Sequence, residues 1–229
     1  AEIVRMYHSL LGPETYRQAT DLYFDRHDGQ AVTIEEFVSA MEDASGRDLT
    51  QFRRWYKQAG TPVVTVRSQY DAEAKTYTLD FEQSCPATPG QTDKLPLVIP
   101  IKLGLVGADG ADMPLNSAGQ TETVFEMTEA SQRLVIENIN QEPVPSLLRG
   151  FSAPVKLSYN YSAEQLAHLM AHDSDGFNRW DACQTLCLTV LKQLVEDSRQ
   201  DRPMVVDGQL VEAFKALLAD RSLDPAMVA

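Results

Sequence analysis

The apolar residues of this 229-residue chain change rhythm twice, and that double switch limits its fold more than any other feature. Up to Ala59 the apolar spacing is helical, interrupted at Gly12-Pro13, His27-Asp28-Gly29 and Gly60-Thr61-Pro62. Four short helices are expected there. In the third, Thr33 and Glu36 have capping-box spacing, and Ile34, Phe37, Val38 and Met41 form one stripe. The fourth carries Phe52, Trp55 and Tyr56, with Arg53, Arg54 and Lys57 expected toward solvent.

After Pro62 the period becomes two. Tyr77, Leu79 and Phe81 alternate with Thr78 and Asp80, and Leu97, Ile99, Ile101, Leu103 and Leu105 keep one face apolar. Further strands are expected at 63–66, 123–127, 134–139 and 155–159, with a tight connection at Gly107-Ala108-Asp109-Gly110. Short strands of this kind predict an antiparallel β-sandwich rather than a parallel sheet. Helical spacing returns at Ser162, which caps a helix together with Gln165. Helices follow over about 163–171, 177–198 and 207–219, the middle one lined by Leu186, Val190, Leu194 and Val195 and the last by Leu210, Phe214 and Leu217. These need partners, as in the opening of a larger helical array. The chain starts without Met inside an amphipathic pattern and ends at Asp224-Pro225-Ala226, where Pro signals another helix start. Both ends read as interior to a longer polypeptide.

The formal net charge of −13 repels phosphate backbones and anionic lipid, so neither nucleic acid nor a membrane surface is an expected partner. No apolar run approaches the roughly 20 residues of a membrane span. Cys85, Cys183 and Cys187 are an odd set with a wide gap, which points to reduced thiols and a cytoplasmic location.

Three motifs invite chemistry, and each has a plainer reading. His168 and His172 have the i, i+4 spacing of a zinc helix, but Leu169 stands where a general-base Glu belongs. The stretch from Asp25 to Glu36 has the outline of a calcium loop. With Gly29 at its sixth position, however, Phe24 and Arg26 fall where carboxylates are required. Cys183 and Cys187 lie one helical turn apart and read as buried small apolar side chains. No glycine-rich phosphate loop or Gly-x-Ser-x-Gly elbow occurs, so no catalytic residue and no metal ligand is assigned, and the substrate-binding residues are unknown.

The chain is similar to bacterial aminopeptidase N, of the zinc-dependent gluzincin aminopeptidase family. The likeness runs through Glu2-Ile3-Val4-Arg5-Met6, Leu22-Tyr23-Phe24-Asp25-Arg26-His27-Asp28-Gly29, Phe37-Val38-Ser39-Ala40-Met41-Glu42-Asp43-Ala44-Ser45 and Phe52-Arg53-Arg54-Trp55-Tyr56. It continues through Gly60-Thr61-Pro62, Phe151-Ser152-Ala153-Pro154-Val155-Lys156-Leu157 and Phe177-Asn178-Arg179-Trp180-Asp181-Ala182. The resemblance implies a multi-domain α+β chain. Residues 1–60 would be the last helices of a thermolysin-like catalytic domain, 61–160 a β-sandwich, and 161–229 the start of a helical C-terminal domain.

The resemblance further implies a parent that uses zinc to remove N-terminal amino acids from peptide substrates. The His-Glu-x-x-His motif, the further Glu ligand and the catalytic Tyr would precede Ala1, so no zinc is expected on this piece and no activity from it alone. Its role would be structural, as a spacer and access-restricting element. Its natural partner would be the missing catalytic subdomain of the same polypeptide, and the inner stripes of the first helices should be partly uncovered without it. The competing class is a non-enzymatic sandwich that binds a protein, against which the peptidase-like flanking helices speak.

Overall fold

A computed structural model describes residues 1–206 and 208–219. Four helices open it: α1 (Glu2–Leu11), α2 (Pro13–His27), α3 (Ile34–Ser45) and the single turn α4 (Arg54–Lys57). The capping box forms as the sequence requires. Glu36 Oε2 accepts from the Thr33 amide at 2.8 Å, and Thr33 Oγ1 accepts from the Glu35 amide at 3.2 Å. Gly46 ends α3 in the left-handed region at φ 66°, where a Cβ is disfavoured.

Lys57 is exposed as expected, but Arg53 and Arg54 are not solvated. Arg53 grips Glu42 and also reaches Glu35 at 2.9 Å, while Arg54 donates to the Pro96 carbonyl. Fixed carboxylate and carbonyl acceptors lie within reach, and charge-assisted bonds to them replace hydration.

The middle is a sandwich of two sheets. One has the order β5-β2-β1-β7, from β1 (Val63–Asp71), β2 (Thr76–Ser84), β5 (Ser131–Glu137) and β7 (Lys156–Ser158). The other is β4-β3-β6, from β3 (Ile99–Val106), β4 (Glu122–Met127) and β6 (Val144–Leu147). All pairings are antiparallel except β1 with β7, which run parallel with Val64 opposite Leu157. The strand β6 is missing from the sequence reading because Pro145 interrupts its short apolar run.

Met6, Tyr7, Val38 and Met41 of the helices and Phe52 of the turn before α4 join Val64, Leu79, Phe81, Ile99 and Ile101 of the sandwich in one apolar cluster. Tyr7 packs on Phe52 at 4.4 Å between ring centroids. Trp55 Nε1 donates to the Val98 carbonyl at 2.7 Å, and Gln51 Nε2 to the Thr128 carbonyl at 2.6 Å. The expectation that the helices' inner stripes are partly uncovered holds for Val4 and Ile34, which are exposed, and needs correction for the rest. The sandwich itself covers Met6, Tyr7, Val38, Met41 and Phe52, all fully buried. Helix α1 also lies on β3, which helps bury that strand on its second face, although only one face is uniformly apolar, as expected.

Three further helices follow: α5 (Ala163–His172), α6 (Gly176–Arg199) and α7 (Gly208–Ala219). The start expected at Asp207 and the signal at Asp224-Pro225 lie outside the described residues. Leu166, Leu169, Met170, Leu186, Ala213 and Leu217 form a second, smaller cluster that reaches Val106 of the sandwich. Val195, expected to line α6, is 51% exposed, because the packed part of α6 is its N-terminal half, against α5.

Candidate functional site: a buried arginine joint

The most heavily charged buried point is where the sandwich meets α5 and α6. After β6, Leu148, Gly150 and Phe151 all take positive φ (58°, 62° and 53°) around a short 3₁₀ turn, Arg149–Phe151. This tight reversal lays the Arg149 side chain back over β3. Gly104 makes room for it, since a Cβ there would stand 2.4 Å from the guanidinium carbon.

Arg149 is 2% exposed. Its two terminal nitrogens fork onto Asp112, at 2.7 and 3.3 Å, and one also reaches Asp173 Oδ1 at 3.2 Å. Nε donates to Ser146 Oγ at 2.8 Å. Asn178, in the first turn of α6, donates to the same hydroxyl at 2.8 Å and to the Leu147 carbonyl at 3.0 Å. Glu122 stands 3.9 Å from the guanidinium and holds Lys102 at 2.7 Å. Asp173 closes α5, and its Oδ1 also accepts from the Asp175 amide at 3.0 Å. Asp175 in turn caps α6 through the Asn178 amide at 2.9 Å. One side chain thus ties β3, β6 and both helices together.

The two aspartates differ electrostatically. Burial pushes the Asp112 carboxyl up, but the hydrogen bonds of Arg149 and Ser174 and the guanidinium charge outweigh it, leaving Asp112 below the usual range. For Asp173, fully buried, burial prevails over Ser146, the Asp175 amide and Arg149, and the carboxyl lies above that range. Its Oδ2 has no hydrogen-bond partner among the described residues. Breaking such a joint by deleting the cation leaves uncompensated buried carboxylates, a loss of about 3–5 kcal/mol.

The residues singled out by sequence sit elsewhere or do other work. His168 Nε2 lies 2.8 Å from the Gly107 carbonyl, and the His172 ring fills the space over Gly110, where a Cβ would come within 2.6 Å of Nδ1. The pair docks α5 on the turn after β3. Burial, with His168 and Arg179 nearby, holds the His172 imidazole below its ordinary pKa. A zinc ion, which the resemblance implies for the parent, does not fit this donor set. His168 is committed to a carbonyl, Leu169 offers no base, and no three His, Cys, Asp or Glu side chains are placed to hold a metal ion among the described residues.

In the Asp25 to Glu36 stretch, Phe24 is exposed, Arg26 pairs with Asp43, and Glu36 is used in the helix cap. The segment is a helix connection. Cys183 and Cys187 are half-buried on α6, and burial together with Cys187 pushes the Cys183 thiol up to about 11. It is a neutral packing group at neutral pH.

Arg149, Asp112 and Asp173 were missed in the sequence because the aspartates lie 37 and 24 residues from the arginine. A signal existed in Ser146-Leu147-Leu148-Arg149-Gly150-Phe151, where a lone cation interrupts an apolar run. A buried Arg needs carboxylates, but spacing cannot say which.

Residues 60–160 match the model of a domain of unknown function, DUF3458, described as an Ig-like fold, and residues 163–229 match DUF3458_C, described as ARM repeats. The chain is 46% identical over 230 residues to aminopeptidase N of Escherichia coli strain K12, covering 100% of this chain and 26% of that protein. With Haemophilus influenzae aminopeptidase N it shares 40% identity, over 95% of this chain and 25% of the relative. A crystal structure of Legionella pneumophila aminopeptidase A in complex with aspartic acid superposes with TM-score 0.82 at 31% identity, covering 99% of this chain and 25% of that one. The chain spans about a quarter of the length of these relatives.

Proposed function

We propose a positioning role for this chain, which belongs to the bacterial aminopeptidase N family: it holds the first helices of an ARM-type array in fixed relation to the end of a peptidase domain. The observation that carries this reading is the Arg149 joint, which fixes α5 and α6 to the sandwich while the shared apolar cluster fixes α1 to α4 to its other side. A rigid spacer of this kind governs which peptides reach an active site beneath the array.

The whole enzyme is proposed to be a zinc aminopeptidase acting on the N-termini of peptides, with its zinc ligands and general base in polypeptide outside these residues. A cytoplasmic location is part of the proposal. It is supported by the free thiols of Cys85, Cys183 and Cys187 and by the lack, among the described residues, of a helix long and apolar enough to cross a membrane.

The test is direct. Purified, this chain is expected to leave aminoacyl arylamides uncleaved and to retain zinc well below one equivalent after dialysis. Turnover that a chelator abolishes would overturn the positioning reading.

A further inference from the structure

The charges gathered at the joint do not balance when every group is ionised. Arg149 and Lys102 are the cations on the sandwich side, and facing them are Asp112, Glu122 and Asp173. Asp112 takes the guanidinium fork and Glu122 takes Lys102, so their charges are met at 2.7 Å each. From the cations Asp173 receives only the longer contact, 3.2 Å, from a nitrogen already shared with Asp112, and its other partners, the Asp175 amide and Ser146, are neutral. On the helical side, Arg179 turns to the Met170 and Ala171 carbonyls at the end of α5, and His172 lies against Gly110. Asp175 is spent on the α6 cap. The cluster is thus one negative charge in excess, and the carboxylate with least compensation is wholly shielded from water.

We propose that the joint is a proton-linked latch: Asp173 sits in it as the neutral acid, and loss of its proton loosens the hold of the sandwich on α5 and α6. Geometry selects Asp173 over the other two acids. Its side chain is 0% exposed against 18% for Asp112 and 38% for Glu122, and its Oδ2 has no partner among the described residues. An unpartnered anionic oxygen in a dry site is penalised more than a neutral acid there. The raised pKa of Asp173 agrees in sign. A carboxyl whose folded pKa lies above its unfolded value gives stability that is full at low pH and lost as pH rises through the folded pKa. Asp112, held low, behaves oppositely and keeps its grip on Arg149 down to acid pH. The latch therefore opens on the alkaline side through Asp173 while the Arg149–Asp112 fork persists. This inference concerns the joint itself and stands or falls independently of the peptidase reading.

The test compares wild-type chain with Asp173→Asn by hydrogen–deuterium exchange of α5 amides, corrected for intrinsic rates, from about pH 3.5, just below the ordinary aspartate value, to about pH 8. Wild-type exchange in α5 is expected to rise several-fold across that range. In D173N, which keeps the shape and cannot ionise, it stays low and flat, and the variant melts at or above the wild-type temperature at the alkaline end. A flat wild-type profile overturns the proposal without recourse to any variant. So does a D173N joint that is open at every pH, since that result makes Asp173 an ordinary ionised partner of Arg149. Infrared difference spectra of wild type against D173N give a second reading: a neutral-acid carbonyl band is expected at the acid end and none at the alkaline end. Its absence throughout would equally sink the latch.

Discussion

The two apolar clusters of this chain end differently. The first, built by α1 to α4 and both sheets, closes on itself: Met6, Tyr7, Phe52, Leu79, Ile99, Ile101 and Leu103 are fully buried, and β3 is covered on both faces. The second, built by α5 to α7, is covered on one side only among the described residues. Leu186 is 1% exposed, while Leu188, Leu191 and Val195, on the same helix, are 54%, 56% and 51% exposed. The difference teaches that a layer is complete only when a second layer lies on it. An ARM-type stack adds layers one repeat at a time, so a short stretch of it has a finished face and an unfinished one. Global stability therefore belongs to the first cluster, and the second depends on its docking through Arg149 and Val106.

The sharpest way to break this comparison is to hollow out the closed cluster. Phe52→Ala removes a ring that packs on Tyr7 and lies fully inside, for an expected loss of about 3–5 kcal/mol. Because helices and strands share that cluster, far-ultraviolet helix signal and near-ultraviolet aromatic signal should disappear in one urea transition at a lower midpoint. Two separated transitions would show that α1 to α4 and the sandwich are independent units.

A smaller effect is expected from the open cluster. Leu186→Ala removes the most buried leucine of α6, at about 2–3 kcal/mol, toward the low end for such truncations because the exposed side of α6 leaves room to relax. Hydrogen exchange should rise in α5 to α7 and stay unchanged in β2 and β3. Equal loss of protection in β3 would make the two clusters one cooperative body.

How much of this was legible beforehand depends on whether a feature is local or relational. The caps at Thr33 and Ser162 are written in residues three apart, and both formed with the reciprocal bonds expected. The strand alternation of Tyr77, Leu79 and Phe81 likewise fixed the inward face of β2. Coverage was not legible. The apolar face of α1 reads the same whether it meets a catalytic subdomain or β3, and only the three-dimensional arrangement shows the latter. Arg53 and Arg54 looked solvated because their acceptors are Glu42, eleven residues away, and Pro96, forty-two residues away. The joint was hidden for the same reason: Asp112, Arg149 and Asp173 come from three separate segments, and only the glycine at 104 and the lone cation in an apolar run mark the place.

The smallest expected effect probes the unfinished face. Leu191 lies on α6 beyond the part packed against α5 and is 56% exposed, so exchanging it for serine gives up little buried apolar area. The helix propensities of leucine and serine differ by only a few tenths of a kcal/mol, so Leu191→Ser should shift the unfolding free energy of this chain by no more than about 0.5 kcal/mol. The contrast with Leu186, five positions earlier on the same helix, is the informative part, because identical side chains are predicted to differ several-fold in cost purely through what lies over them. Chemical denaturation of the two variants in parallel measures it. A cost for Leu191→Ser matching that of Leu186→Ala would mean that the outer face of α6 is covered within this chain, and the distinction between a closed cluster and an open one would have to be abandoned.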